Sequence, residues 1–282
     1  MATIMSAIYG GGPFYAGSPV LNTLNQTGFS TVICWCIHVD ANGDLVYNDT
    51  PVCASGSYTG DPAWGNQLLD VKTGGSVNRL LFSVGSGGSQ DYTNIMNLIN
   101  SQGTGSGSIL YQNFSALLQA IPIDGIDMDD EDNLDTNTIV QFSQMLAVIG
   151  YKQITFCPYY DQQFWNSCLA TLNQSNPGLV TGYNLQCYSG GGGNLYDVPD
   201  WISGVQGVMG SGFDAAAFVN PGLWCINGSG CSAGMSPATI QGYFEGWAKI
   251  GVAGGFIWIY DDIMKCGNDP AAYAAAINNG LG

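Results

Sequence analysis

DGIDMDDEDN, residues 124–133, places six acidic side chains in ten positions of a chain in which only 9% of residues are charged. Ile121, Ile123, Ile126 and Met128 interleave with Asp124, Asp127 and Asp129, the alternation of a short strand running into a loop. Alternate residues of a strand share a face. Asp127, Asp129 and Glu131 are therefore expected to project together, with Cα atoms about 6.8 Å apart per two-residue step. Three carboxylates on one face repel one another, and such crowding needs something to offset its cost. A solvated acidic loop is the plainer alternative, and a calcium loop would need a central Gly that this run lacks.

Working outward, the run is the fourth of eight apolar, β-rich segments. These are TIMSAIYG (3–10), TVICWCIHV (31–39), RLLFSVGS (79–86), IDGIDMDDE (123–131), KQITFCPYY (152–160), YNLQCYS (183–189), AFVNPGLW (217–224) and GGFIWIY (254–260). The stretches between them are amphipathic, as in Ile139, Phe142, Leu146 and Ile149 at helical spacing. Another opens with the helix-start pair Ser236-Pro237. Strands alternating with helices pair in parallel through right-handed crossovers. Eight such repeats, with no Pro- or Ser-rich linker, predict a single-domain (β/α)₈ TIM barrel spanning residues 1–282 rather than a doubly wound sheet. The Gly-rich runs GSGG (85–88), GTGSGS (103–108) and SGGGGN (189–194) read as turns; GSGG lacks the Lys of a phosphate-binding loop.

The formal charge of −16, five Lys plus Arg against 21 Asp plus Glu, disfavours nucleic acid and anionic membrane as partners. No apolar run reaches the ~20 residues that span a bilayer. The N-terminal MATIMSAIYGGG has no basic n-region and reads as the first strand rather than a secretory signal. Five Asn-x-Ser/Thr sequons, at Asn25, Asn48, Asn113, Asn173 and Asn227, together with scarce Lys, point to an extracellular protein. Among nine Cys, Cys225 and Cys231 bracket INGSG and are the expected local disulfide, whereas Cys34 and Cys36 share a strand face as core residues. A zinc site is not expected, since no CxxC pair exists and His38 is the sole His.

In a barrel of this type catalytic groups lie at the C-terminal strand ends. Asn184, Gln186 and Tyr188 alternate along the sixth segment and are expected to face inward. Trp258, in the eighth, offers an indole platform for a sugar ring. Trp35 and Trp224 read as structural, and His38 is assigned no role.

The order Asp124, Gly125, Asp127, Asp129, Glu131 resembles the DGxDxDxE signature of glycoside hydrolase family 18, the chitinases and endo-β-N-acetylglucosaminidases, with every fixed position filled. RLLFSVGSGG is similar to the family's third-strand SxGG region, with Ser86 in place of the last Gly. LQCYS resembles the sixth-strand Gln-x-Tyr of hevamine-type chitinases, with Ser189 where Asp or Asn is common, and GGFIWIY resembles the segment carrying a subsite-floor Trp. The resemblance implies retaining hydrolysis of β-1,4-linked N-acetylglucosamine, in chitin or chito-oligosaccharides, with the substrate acetamide as nucleophile and an oxazolinium intermediate. It implies Glu131 as general acid and base, Asp129 as partner of the acetamide N–H, Asp127 sharing a proton with Asp129, and Tyr188 donating to the acetamide oxygen. Gln186, Asn184 and Trp258 would bind substrate, without cofactor or metal, in a protein expected to be monomeric. Cleavage within the chitobiose core of N-glycans and a catalytically silent carbohydrate-binding role are the alternatives; retention of Glu131 favours an enzyme. Only residues 225–253 separate the last two segments, so no large inserted subdomain and a shallow cleft are expected.

Overall fold

The computed structural model describes residues 4–190 and 193–282. Eight parallel strands close a barrel: β1 (Met5–Gly10), β2 (Thr31–Val39), β6 (Arg79–Val84), β7 (Gly125–Met128), β8 (Gln153–Phe156), β9 (Val180–Gln186), β10 (Val219–Trp224) and β11 (Gly254–Trp258). The ring closes because β1 pairs in parallel with both β2 and β11. Thr3 and the central glycines 191 and 192 of the Gly-rich run lie outside the described residues.

Every strand is apolar on its outer face, as strands covered by helices must be, and the inner face is apolar in part. Ile8, Val32, Cys34, Phe82, Ile126, Ile154, Leu185 and Ile257 point outward into one large cluster under the helices. Ala7, Tyr9, Ile33, Leu81, Cys157 and Phe256 point into the barrel. The Gly222 position admits no side chain, because a Cβ there would lie 1.9 Å from the Phe256 ring. The shell comprises α1 (Trp64–Val71), α2 (Asp91–Gln102), α3 (Ile109–Ala120), α4 (Thr136–Ile149), α5 (Gln162–Ser175), α6 (Asn194–Met209), α7 (Ala215–Phe218), α8 (Pro237–Ala248), α9 (Tyr260–Lys265) and α10 (Pro270–Leu281). Helix α4 illustrates why these segments are helical: Asp135 caps its start by accepting from Thr138 N, its apolar residues face the barrel, and Gly150, at φ 125°, ends it.

Three findings differ from the sequence reading. Strand β2 continues into an antiparallel meander, β3 (Leu45–Tyr47), β4 (Thr50–Ala54) and β5 (Ser57–Tyr58), that the segment count passes over. Its tight turn at Ser55-Gly56 has positive φ at both residues, the twist-matched hairpin connection. The first two residues of the seventh segment, Ala217 and Phe218, belong to α7, so β10 starts only at Val219. The disulfide joins Cys231 to Cys266, with Cα atoms 5.6 Å apart, and not to Cys225. Cys225 stays in register beside β11, its N–H donating to Trp258 O, so its side chain is fully buried while the loop carries Cys231 away towards α9. No large subdomain separates β10 from β11; the link holds α8 and one short 3₁₀ turn among its described elements.

The sequons fare unequally. Asn113 is fully buried, donating to Gly43 O at 2.7 Å and accepting from Gly56 N at 2.7 Å. Asn227 is also buried, with its amide donating to Cys225 O. Among the described residues no helix is long and apolar enough to cross a membrane.

Candidate active site at the barrel mouth

Asp127 sits on β7 between Ser83 of β6 and Thr155 of β8, its partners in register. It is fully buried and accepts four hydrogen bonds: from Tyr9 Oη (2.8 Å), Ser83 Oγ (3.1 Å), Thr155 Oγ1 (2.5 Å) and Asn184 Nδ2 (2.9 Å). Burial still raises its carboxyl above the usual range, against the pull of those donors.

Strand β7 ends at Met128, three residues short of Glu131, yet Asp129 N–H still donates to Val84 O and keeps Asp129 on the inner face. Asp130 then turns the chain by accepting from the backbone N–H groups of Asp132, Asn133 and Leu134. That loop brings Glu131 back over the mouth, where the absence of a side chain at Gly87 leaves room for it; a Cβ there would lie 2.7 Å from Glu131 Oε2.

Gln186 Nε2 reaches Asp129 Oδ1 (3.0 Å), Glu131 Oε1 (3.0 Å) and Cys157 O (3.3 Å). One amide thus ties the two upper carboxylates together. Burial raises both, and for Asp129 the charges of Glu131 and Asp127 add to the upward push. Asp129 thus lies near enough to both Glu131 and Asp127 for their charges to disfavour its own. Asp127, beneath them, is engaged by its four donors and adds to the upward push on Asp129.

Tyr188 stacks on Trp258, ring centroids 5.9 Å apart and planes 19° apart, and meets Trp224 edge-on at 5.9 Å. Its hydroxyl has no hydrogen-bond partner among the described residues, and burial first, then nearby thiols and carboxylates, keeps it protonated and able to donate. Trp258 also meets Trp35 at 4.9 Å and Tyr9 at 5.5 Å. All seven residues picked from the sequence, Asp127, Asp129, Glu131, Asn184, Gln186, Tyr188 and Trp258, therefore come together at one end of the barrel.

Sequence reasoning missed Tyr9, Thr155 and Cys157, although their inward parity on β1 and β8 was available. The Cys157 thiol, held neutral chiefly by burial, accepts from Tyr9 Oη at 3.5 Å. Trp35, read as structural, directs its indole N–H towards Asp129 without completing a hydrogen bond. Trp224, read likewise, anchors its indole N–H on Asp262 Oδ2 at 2.9 Å and faces an open cavity beside the site. His38 is occupied by Asp91, at 2.9 Å, and by the Cys36 thiol. Among the described residues no three His, Cys, Asp or Glu side chains are arranged to hold a metal ion.

No protein-family model matches the chain, and no curated protein matches it. Solved structures do. The catalytic domain of a hyperthermophilic chitinase from Pyrococcus furiosus superposes with a TM-score of 0.73 over 100% of this chain and 96% of its own, at 9% identity. The fold is that of the GH18 chitinases. A GH18 chitinase from Flavobacterium johnsoniae gives a TM-score of 0.64 at 12% identity, covering 99% of this chain and 94% of that one. A chitinase-like agglutinin from Robinia pseudoacacia gives 0.61 at 12% identity, covering 98% and 99%.

Proposed function

We propose that this barrel is a retaining glycosidase of family 18 type that hydrolyses β-1,4-linked N-acetylglucosamine with the substrate's own acetamide as nucleophile. The observation that carries the reading is the single amide of Gln186 binding Asp129 and Glu131 together above a saturated Asp127. An acid for the glycosidic oxygen must hold a proton near neutrality, and burial raises Glu131 in that direction. Asp129, deeper and more strongly raised, is suited to accept the acetamide N–H and to stabilise the cationic oxazolinium that follows. When Glu131 passes its proton to the glycosidic oxygen it becomes a second negative charge beside Asp129, and the cationic oxazolinium that forms between substrate atoms over Asp129 offsets that repulsion.

Asp127, held by its four donors, is the fixed floor against which Asp129 is oriented. Tyr188, with a free hydroxyl, is the donor for the acetamide oxygen, and Trp258 supplies the apolar face beneath the sugar.

Two other readings use the same site. Cleavage within the chitobiose core of N-glycans needs the same acetamide chemistry. A silent binder is consistent with the fold, since one neighbour is an agglutinin, and fold alone does not fix function. Incubating the protein with chitin oligomers and with a high-mannose glycoprotein separates all three: shortened oligomers, released glycan, or binding without a product. Cleavage of a fully deacetylated oligomer as fast as the acetylated one would rule out acetamide attack.

A further inference from the structure

The four groups bound to Asp127 are neutral donors. The ionisable groups that feel its charge from β1, α2, β8 and β7 are Tyr9, Tyr92, Cys157 and Asp129, each of them neutral or negative. A buried carboxylate with no positive charge in reach is costly. The chain has only five cationic side chains. Lys152, Lys249 and Lys265 are exposed, and Lys72 is spent on Asp124, both of whose carboxylate oxygens it meets at 2.8 Å. Arg79, the sole Arg, remains.

Arg79 opens β6 with the parity of Leu81, which points into the barrel, and of Ser83, which binds Asp127. Its guanidinium donates to Thr181 Oγ1 on β9 at 2.9 Å, so it passes beneath both intervening strands, β7 and β8, at the end of the barrel opposite the mouth. Asp127 is level with Ser83, two inward steps or about 13 Å along the strand from Arg79 Cα, and the long Arg side chain closes part of that distance. On β7 the inward residue one step below Asp127 is Gly125, so no side chain of that strand stands between the two charges. Among the described residues Arg79 forms no ion pair, and its Nε is buried without a hydrogen-bond partner. The charges that favour its ionised form belong first to Asp127 and then to Asp124. Since Asp124 already holds Lys72, Asp127 is the free partner.

We propose that Arg79 is the long-range counter-charge of Asp127, a positioning residue that never touches substrate but favours an ionised carboxylate beneath Asp129. A unit charge about 10 Å away through protein moves a carboxyl by about one pH unit. The catalytic consequence rests on the glycosidase reading above: a negative floor under Asp129 favours the cationic oxazolinium.

The test compares Arg79→Gln, which retains an amide donor without the charge, with Arg79→Lys, which retains the charge, each alone and combined with Asp127→Asn. The attraction exists only where Asp127 is ionised. The loss of melting temperature caused by Arg79→Gln should therefore grow from pH 4 to pH 8, lose that pH dependence in the Asp127→Asn background, and be smaller for Arg79→Lys. A loss equal at every pH, or one that depends on pH just as strongly without the Asp127 carboxyl, makes Arg79 a structural plug and overturns the proposal. An Arg79→Gln chain that folds only when Asp127→Asn accompanies it supports the pairing; one that folds in neither background overturns it. With chitotetraose as substrate, the acid-side limb of kcat should move up by about one pH unit in Arg79→Gln, with KM unchanged, and return in Arg79→Lys. An unmoved limb overturns the positioning role. Absence of turnover in the parent would sink the glycosidase reading, and the melting series would still decide whether Arg79 and Asp127 are paired.

Discussion

Two sets of side chains leave the same eight strands in opposite directions. The outward set is apolar and continuous, and its members, such as Ile8, Phe82 and Ile126, pack against helix residues such as Phe114 and Phe142 in one cluster. The inward set near the mouth is polar and discontinuous: Tyr9, Ser83, Asp127, Thr155 and Asn184 come from five strands and meet at one carboxylate. Packing is tolerant of which apolar residue fills a volume, whereas a buried carboxylate is intolerant of losing a donor. The outer set should therefore govern stability, and the inner set chemistry.

The sharpest break between the two is expected at Glu131. Glu131→Gln keeps shape and removes the transferable proton, so turnover should fall by about 10² to 10⁴ while the melting temperature holds or rises; equal rates for variant and parent would refute the acid assignment. The reverse substitution is Phe142→Ala, fully buried and packed on Phe114 at 5.1 Å. It should cost about 3–5 kcal/mol in denaturant titration with kcat preserved in the fraction that remains folded. A kcat that falls in step with stability would blur the division.

Tyr9→Phe probes the seam, because Tyr9 packs on Phe256 and Trp258 while its hydroxyl serves Asp127. Removing that hydroxyl should cost about 1–3 kcal/mol of stability and lower kcat more than it raises KM. No change in kcat would mean that Asp127 does not need full saturation.

The smallest expected effect is on the pH dependence of stability. Asp127, Asp129 and Glu131 are raised above their ordinary values chiefly by burial, and Asp130 is pushed up to about 6 by burial against three backbone donors. A carboxyl raised in the folded state binds more protons folded than unfolded, so its contribution is present below about pH 4 and lost as pH rises through the folded value. The melting temperature should fall between pH 4 and pH 7, and Asp130→Asn should make that fall shallower. A rise across the same interval would contradict the burial of these acids.

The barrel was legible because helical and strand periodicities alternate cleanly; six of the seven chosen site residues were legible from the alternation through the fourth and sixth segments, and Trp258 from its place in the eighth. What stayed hidden depends on distance in sequence. Asp127 and Tyr9 are 118 residues apart and meet only because the barrel closes. Asp129 and Glu131 were expected to share a face by strand parity; they converge instead through a loop that Asp130 shapes with backbone hydrogen bonds, a role no side-chain pattern announces. Cys231 found Cys266 rather than its near neighbour for a related reason: the ladder holds Cys225 in the core before the loop begins.

The burial of Asn113 and Asn227 bears on how the chain can be made. The nitrogen that would carry a glycan at Asn113 is the one that binds Gly43 O at 2.7 Å. Oligosaccharyl transfer acts on chains that have not yet folded, so a eukaryotic secretory host would attach sugars before these two positions are closed, and a glycan on Asn113 would be left where the hairpin and α3 must meet. Produced in a bacterium, the same chain meets no such modification. Asn113→Gln and Asn227→Gln would not restore the native contacts, so recombinant yield should favour a host without the transferase over any repair of the sequons.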